Sequence, residues 1–228
     1  SKVIGAAVEE AEEAGIPVIL MDSDLEGRER SGYIGMDHKE AGKLAGEDMI
    51  AVTGGNAHIG MIVSDTDDSA QRLRMEGFLS AINPHKNMIV EETFESRSDR
   101  IRIRKLVSGM LQDNKRINAI FCADQTAADM LGDILQEEGY SKNNMKVVCF
   151  GMSREIYKYL QDGTYTFSVM NDTVEMGYQA VKTLKDCING KSGEKRIVYT
   201  EIENADKDFD FESWKAEREN RERSCMMS

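Results

Sequence analysis

The sequence is poor in proline, cysteine, histidine and long apolar runs, and each shortage excludes a class of protein. The only two prolines are Pro17 and Pro84, so no proline-rich linker divides the chain. The four cysteines form no CxxC pair, and none of the three histidines accompanies them at zinc-finger spacing. No stretch approaches the roughly 20 apolar residues that a transmembrane helix needs.

Positive charge is also scarce. The chain has 29 lysines and arginines against 41 aspartates and glutamates, which gives a formal net charge of −12. Binding along a nucleic-acid backbone depends largely on basic side chains that neutralise phosphates. The arginine-rich segment 97–104 has helical spacing and is typical of a solvated helix face. We therefore expect no direct nucleic-acid binding by residues 1–228.

What the sequence does contain is a regular alternation of strand and helix patterns. The predicted strands are 18–21, 33–36, 58–63, 88–94, 118–122, 145–150, 164–170 and 196–202. The predicted helices are 3–14, 38–52, 69–82, 99–112, 125–139, 153–161 and 174–189, and they precede a charged tail, 211–228, that is helical or frayed. Such alternation predicts an α/β fold with parallel sheets flanked by helices.

Four of the apolar runs end on a residue suited to contact a ligand. These ends are Asp22, Asp65, Asp124 and Gly151. Ligands of open parallel sheets bind in the crevice beyond the carboxyl ends of the strands. The pattern predicts a site for a small polar molecule, in which carboxylates accept hydrogen bonds from hydroxyl groups.

Two of the charged residues near these ends have alternative interpretations. Arg72 lies in the first turn of its helix, where its guanidinium is suited either to bidentate recognition of a ligand or to solvation on the helix face. Asp124 is positioned either to contact a ligand or to cap the helix that follows, and capping is favoured.

Signals for catalysis, a cofactor or a metal are weak. The histidines lie far apart in the sequence, and no Gly-x-Ser-x-Gly motif frames a serine nucleophile. Asp65 and Asp67 begin a calcium-loop spacing, but Ala70 stands where the loop requires glycine. We expect no enzyme activity, no cofactor and no metal site.

Seven segments occur together in a characteristic order: IPVILMDSD, IGMDHKEAGKLAGE, SAQRLRMEGF, INAIFCADQTAADML, MKVVCFGMS, LQDGTYTFSVMND and MGYQAVKTL. Their combination resembles periplasmic sugar-binding proteins of the ribose-binding type, from residue 1 to about Ile202. The ligand domains of lactose-repressor-type regulators share that fold.

The resemblance implies a two-lobed periplasmic-binding-protein type I fold with an incomplete first lobe. Residues 1–36 and 171–199 would form the partial first lobe, and residues 37–170 and 200–210 the second. The chain would cross between lobes near Met36 and Asp37, near Met170 and Asn171, and between Tyr199 and Ile202. Ligand would be trapped as the lobes close about these crossings.

Two site residues follow from the resemblance by direct correspondence. Asp22 matches the sugar-binding aspartate of the family, and Arg72 is matched to its sugar-binding arginine. Both agree with the interpretation from strand ends.

Five further positions correspond to ligand contacts of the family but carry different residues. Ser23 replaces a second arginine, Ser98 an aromatic residue, Asp124 an asparagine and Asn171 a glutamine. Gly151 replaces an aspartate that clamps sugar hydroxyls. Loss of that acceptor weakens recognition of a simple sugar. The resemblance implies a sugar or sugar derivative as the ligand, and it leaves a modified sugar, a polyol or another small polar metabolite open.

The function implied by the resemblance is solute capture without chemistry. A binding protein of this type delivers its ligand to an ABC transporter permease or a membrane sensor, outside the cytoplasm in the periplasm or anchored by lipid at the cell surface. The alternative is the effector domain of a lactose-repressor-type transcription regulator, which would be cytoplasmic.

Overall fold

The computed structural model describes residues 2–25, 27–190 and 196–226. Within them the chain forms nine strands and eight helices. The strands are β1 (Ile19–Met21), β2 (Gly32–Met36), β3 (Asn56–Val63), β4 (Asn87–Glu95), β5 (Ala119–Cys122), β6 (Lys146–Phe150), β7 (Phe167–Asn171), β8 (Arg196–Thr200) and β9 (Ile202–Ala205). The helices are α1 (Lys2–Glu13), α2 (His38–Thr53), α3 (Ser69–Ile82), α4 (Arg100–Asp113), α5 (Gln125–Glu137), α6 (Arg154–Asp162), α7 (Thr173–Ile188) and α8 (Phe211–Met226). The predicted segments 1–36, 171–199 and 211–228 include residues 1, 26, 191–195 and 227–228, which lie outside the described residues.

The strands form two sheets. The smaller has the order β1-β2-β8, and the larger has the order β4-β3-β5-β6-β7-β9. All neighbouring strands are parallel except β9, which pairs antiparallel with β7. We call β1, β2, β8 and the helix packed on them, α7, the small lobe, and the larger sheet with α2–α6 the large lobe. The predicted α/β architecture with parallel sheets is confirmed.

The central strands of the large lobe are buried on both faces. Val147 and Cys149 belong to one core cluster, whereas the alternate residues Val148 and Phe150 belong to another. Since successive side chains of a strand point to opposite faces, helices cover both sides of this sheet. This arrangement explains why the strands appear in the sequence as continuous apolar runs instead of alternating ones.

The helices that follow strands begin on capping side chains at the carboxyl edge of the sheets. The N-caps of α2 to α7 are, in order, Asp37, Asp68, Asp99, Asp124, Ser153 and Asp172. Each side chain accepts from backbone N–H groups that would otherwise lack a partner. The predicted caps Asp37 and Asp124 are confirmed, and the cleft edge is rich in carboxylates for this structural reason.

Helices α2 and α3 pack with their backbones almost in contact. A Cβ on Gly42 would lie 2.0 Å from the carbonyl oxygen of Arg74, and one on Gly77 would lie 1.9 Å from that of Lys39. Only glycine allows this approach. The close packing fixes α2 against α3 and so determines which of their side chains meet at the cleft.

The prediction of one strand over 196–202 is wrong. The chain leaves the small sheet after Thr200, which pairs with Met36, and enters the large sheet at Ile202, which pairs with Asn171. Two strands in two sheets replace one because the chain crosses between lobes at Glu201.

Among the described residues, no helix is both long and apolar enough to cross a membrane.

Candidate functional site

The carboxyl ends of strands from both lobes face a shared cleft of about 550 Å³. The small-lobe side includes Met21, Asp22, Ser23, Thr173 and Met176, and the large-lobe side includes Ser64, Asp68, Gln71, Arg74, Ser98, Asp124, Gln125, Phe150 and Gly151. Met36 and Asn171 lie at the crossings. Six of the seven residues predicted from the sequence line this cleft: Asp22, Ser23, Ser98, Asp124, Gly151 and Asn171.

Asp22 is held in a backbone conformation that few aspartates adopt. Its φ is 62°, in the left-handed region where a Cβ is sterically unfavourable. Its carbonyl oxygen accepts hydrogen bonds from the hydroxyl of Tyr33 and from Nε2 of His38, the latter at 2.7 Å. These two bonds hold the strained residue in place, and its carboxylate remains about half exposed, at 46%.

Arg74 is the basic residue of the cleft, and sequence reasoning missed it. Its Nε donates to Nδ1 of His38 at 3.2 Å, and its Nη1 donates to the carbonyl of Ala123 at 3.0 Å. The guanidinium carbon lies 4.6 Å from the ring centre of Phe150. Its Nη2 lies 3.8 Å from a carboxylate oxygen of Asp22, beyond hydrogen-bond distance. Among the described residues, Nη2 has no hydrogen-bond acceptor, so it can donate to a ligand.

The assignment of Arg72 to the cleft is corrected. Its Nη1 donates to Glu76 at 2.9 Å, and the side chain lines a second cavity with residues of the β1–β2 loop. Residues two apart on a helix differ by about 200° in direction, so Arg72 and Arg74 lie on opposite faces of α3. Phe78, four residues after Arg74, marks the buried face. That helical spacing was the signal available in the sequence.

His38 links the arginine to the strained aspartate. Burial lowers the pKa of His38 below its ordinary value, and the positive charge of Arg74 lowers it further. Since Nδ1 accepts from Arg74, the neutral ring carries its proton on Nε2 and donates it to the carbonyl of Asp22. Burial also lowers the pKa of Arg74, which the nearby charge of Asp22 opposes.

Asp124 has a structural role that uses both carboxylate oxygens. One accepts from the backbone N–H of Thr126 at 3.0 Å and from the hydroxyl of Ser98 at 3.2 Å, and the other accepts from Ser96. Ser98 and its neighbour Arg97 have φ values of 51° and 54°. Asp124, at 4% exposure, therefore caps α5 and ties down a strained turn at the cleft edge.

Gly151 occupies a place that no other residue fits without rearrangement. Its φ is 95°, and a Cβ would lie 2.4 Å from Oε1 and 2.8 Å from Cγ of Gln125. Gln125 thus fills the space where a side chain at 151 would begin. A neutral amide, which both donates and accepts, occupies this place, and no pattern in the sequence indicated the contact.

Hydrogen bonds also span the two lobes at the mouth of the cleft. The hydroxyl of Ser23 donates to the carboxylate of Asp68 at 2.7 Å. The backbone N–H of Asp24 donates to the hydroxyl of Ser69 at 2.9 Å, and this hydroxyl donates to the carbonyl of Asp24 at 2.8 Å.

Asp65, the remaining strand end singled out from the sequence, lies in an exposed turn, where it accepts from the N–H of Asp67. Within the described residues, no cluster of three histidine, cysteine or acidic side chains could hold a metal ion.

The chain is similar in sequence and fold to known binding proteins. The ribose import binding protein RbsB of Escherichia coli is 27% identical over 192 residues, which are 84% of this chain and 64% of that protein. The chain therefore spans less than two thirds of the length of this relative.

Two solved structures give the same result at the level of the fold. An ABC transporter solute-binding protein from Burkholderia graminis in complex with D-arabinose is 26% identical, with a TM-score of 0.86 over 91% of this chain and 72% of that one. XylFII in its complex with LytSN is 27% identical, with a TM-score of 0.81 over 89% of this chain and 72% of that one. A model of the periplasmic binding protein domain matches residues 1–192, and the chain, which has the predicted type I fold, belongs to this family.

Proposed function

We propose that this chain captures a sugar or sugar derivative in the cleft between its lobes. The observation that carries the proposal is the pair formed by Asp22 and Arg74, one at the edge of each lobe, 3.8 Å apart. A carboxylate accepts from ligand hydroxyls, and a guanidinium donates to them. A hydroxyl bound by both would join the two lobes, so binding would favour the closed state.

We expect the ligand to differ from a simple sugar whose hydroxyls are bound by two carboxylates. Asp124 uses its oxygens within the protein, and the neutral amide of Gln125 fills the space beside Gly151. The large-lobe side therefore offers amides and hydroxyls from Gln71, Gln125 and Ser98. A modified sugar or a polyol, with groups that both accept and donate, fits this lining better than a simple hexose.

The biological setting proposed is delivery to a membrane partner outside the cytoplasm. The relatives named above are a ribose import protein and an ABC transporter protein, which supports an ABC transporter permease as the partner. XylFII is found in complex with LytSN, which supports contact with a second protein, such as a membrane sensor. These likenesses favour import over the regulator alternative, and we propose no catalytic step.

The closing motion is proposed to be a hinge rotation of two lobes, whose boundaries are those predicted from the sequence. Residues 1–36 and 171–199 would move against residues 37–170 and 200–210 about the three crossings. The hydrogen bonds from Ser23 and Asp24 to α3 and its cap are those expected to break on opening. Domain closure around a ligand is a common mode of hinge motion.

The test uses isothermal calorimetry with D-ribose, D-arabinose, D-galactose, ribitol and amino sugars as probes. We expect at least one probe to bind with a stoichiometry of 1:1 and to be recovered unchanged. Arg74→Met should weaken that binding about 100-fold, because a polar ligand group loses its charged donor in a desolvated site. Arg72→Met, two residues away on the opposite face, should leave the affinity within about threefold.

Two outcomes would contradict the proposal. Equal losses in the two variants would move the site away from the cleft described above. Conversion of any probe into product would make the protein an enzyme. Arg74→Lys, which keeps the charge but loses the planar fork, should fall between wild type and Arg74→Met.

A further inference from the structure

Helix α8 lies beyond the residues that the family model matches and contacts both lobes. It begins at Phe211, whose ring stacks on Tyr157 of α6 with centres 4.9 Å apart. Trp214 stacks on Phe211 at 5.6 Å and donates from its indole N–H to Glu203 of β9 at 2.9 Å. The first turns of α8 are thus fastened to the large lobe.

Further along α8, Arg218 extends the same attachment. Its Nη2 donates to the other carboxylate oxygen of Glu203 at 2.7 Å, and its guanidinium carbon lies 4.0 Å from the ring centre of Trp214. The Arg218 residue is only 7% exposed. A charge so far from water is costly unless it is paired, so Arg218 and Glu203 depend on each other.

The same helix reaches the start of the small lobe. Arg221 donates to one carboxylate oxygen of Asp172, and Nε of Arg218 lies 3.9 Å from the other. Asp172 caps α7 through the N–H of Glu175, and α7 packs on the small sheet. The basic side chains of α8 therefore join a carboxylate of one lobe to a carboxylate of the other.

Both carboxylates lie next to interlobe crossings. Asp172 follows Asn171, the last residue of β7, and Glu203 comes two residues after Glu201, where the chain passes from β8 to β9. Asn171 and Thr173, the neighbours of Asp172, line the cleft. A rotation of the lobes about these crossings moves α7, which Asp172 caps, relative to β9, which carries Glu203, and α8 contacts both carboxylates.

We propose that α8 is a hinge clamp, in which Arg218 and Arg221 tie Asp172 to Glu203, set the resting angle of the lobes and position Asn171 and Thr173 in the cleft. Arg218 and Arg221 are positioning residues, since they act on the cleft through Asp172. The clamp concerns the hinge itself and is independent of which ligand the cleft binds.

The test measures hydrogen exchange by mass spectrometry on the ligand-free chain, so it does not depend on the proposed sugar. Arg218→Met should speed exchange about tenfold or more in peptides covering 167–176 and 200–206, because the buried carboxylate of Asp172 and the partly buried carboxylate of Glu203 lose a partner beside the crossings. Exchange in α5 should not change. Arg223→Met, an exposed change on the same helix with the same loss of charge, should leave all these peptides as in wild type.

A second readout separates a hinge clamp from a merely stabilising helix. Small-angle X-ray scattering should show a larger radius of gyration for Arg218→Met than for wild type at a temperature where both are folded. Arg218→Lys, which can still pair with Glu203, should restore part of the difference in both measurements.

Several results would overturn the clamp. One is unchanged exchange at both crossings, and another is an equal increase in the crossings and in α5. A third is an unchanged radius of gyration. If Arg218→Met does not fold, Glu203→Gln and Arg218→Lys replace it, and the absence of faster exchange at the crossings in both would reject the proposal.

Discussion

The two sides of the cleft rest on cores of very different size. The small lobe has a buried cluster of Ile34, Met176 and Ala180, with Ile19 and Val198 packed against it. The large lobe has two extensive clusters, one on each face of a six-stranded sheet. Hydrophobic stabilisation grows with the apolar area buried, so the large lobe is the rigid partner of the pair.

The same contrast extends to the polar groups at the cleft. Arg74 and Asp124 are buried and cross-linked by hydrogen bonds to Ala123, His38, Ser96 and Ser98. Asp22 on the small lobe is strained, and its carboxylate is half exposed. We infer that the large lobe presents a preformed surface, and that the small lobe supplies the element that moves onto it. Preorganisation of one side reduces the entropy that binding must offset.

The largest expected effect comes from the core of the large lobe. Phe121 is fully buried, and its ring centre lies 4.2 Å from that of Phe78. Phe121→Ala should lower the free energy of unfolding by about 3–5 kcal/mol, through lost burial and a cavity. Urea denaturation followed by circular dichroism measures this. Ile101→Ala, at a side chain that is 83% exposed, is the control and should change it by less than about 0.5 kcal/mol.

A loss below about 1.5 kcal/mol for Phe121→Ala would mean that the large lobe repacks easily. The contrast between a rigid and a mobile side of the cleft would then fail.

The next effect concerns the contact between α2 and α3. Gly42→Ala would place a Cβ 2.0 Å from the carbonyl oxygen of Arg74, so the helices must separate. The free energy of unfolding should fall by about 1–3 kcal/mol, and ligand affinity should fall with it because His38 and Arg74 lose their alignment. Gly109→Ala on α4, where a Cβ meets nothing within 4 Å, should instead stabilise the protein by about 0.5–1 kcal/mol.

Stability of the large lobe should also depend on pH through His38. Burial lowers the pKa of His38 in the folded protein, so the unfolded chain binds its proton at higher pH. The contribution is full above the unfolded pKa of about 6.5 and is lost as pH falls through the lowered folded pKa. Each pH unit in that window reduces the free energy of unfolding by at most about 1.4 kcal/mol.

Melting temperatures between pH 7.5 and pH 5 measure this dependence. His38→Gln, whose amide can donate to Asp22 and accept from Arg74, should flatten the curve relative to wild type. His85→Gln, at an exposed residue, should retain the wild-type slope. Parallel curves for wild type and His38→Gln would show that His38 is not the titrating group.

The smallest expected effect is the release of strain at Asp22. Asp22→Gly removes a Cβ from a residue with φ of 62°, which should raise the free energy of unfolding by up to about 1 kcal/mol. Ligand affinity should fall at the same time, because the carboxylate is lost. The matched change Asp65→Gly, in a turn without positive φ, should lower stability by about 0.5–1 kcal/mol.

Higher stability together with weaker binding in Asp22→Gly would identify strain that is retained for function. Lower stability would mean that the contacts of the carboxylate outweigh the strain, and the small lobe would be less adaptable than proposed.

Much of the fold follows from local patterns. The alternation of apolar runs and amphipathic segments located most of the elements to within a few residues, and α3 was predicted at its observed ends, Ser69 and Ile82. Capping residues marked the starts of α2 and α5 because a cap acts on the residues next to it. Periodicity merged β8 and β9 into one strand, and only the family resemblance predicted a crossing between Tyr199 and Ile202, since a change of sheet depends on partners distant in the sequence.

The site was less predictable for a related reason. A strand end indicates only that a residue lies near the cleft, which was sufficient for Asp22, Asp124 and Gly151. Ser23, Ser98 and Asn171 came only from the family resemblance. Whether a side chain points into the cleft depends on helix phase, and this separates Arg74 from Arg72. The positions of Gln125 beside Gly151 and of α8 across the hinge depend on packing between elements far apart in the chain.

By itself the sequence determined the α/β architecture, the family resemblance and three of the four predicted strand ends that meet at the cleft, Asp22, Asp124 and Gly151, because these depend on local propensity and on the order of motifs. The tertiary structure decided which groups face the ligand and which are used within the protein. It directed Arg74 inward through the contact between α2 and α3, used both oxygens of Asp124 for capping and turn formation, and filled the space beside Gly151 with Gln125. These outcomes depend on distances between residues that only the folded chain brings together.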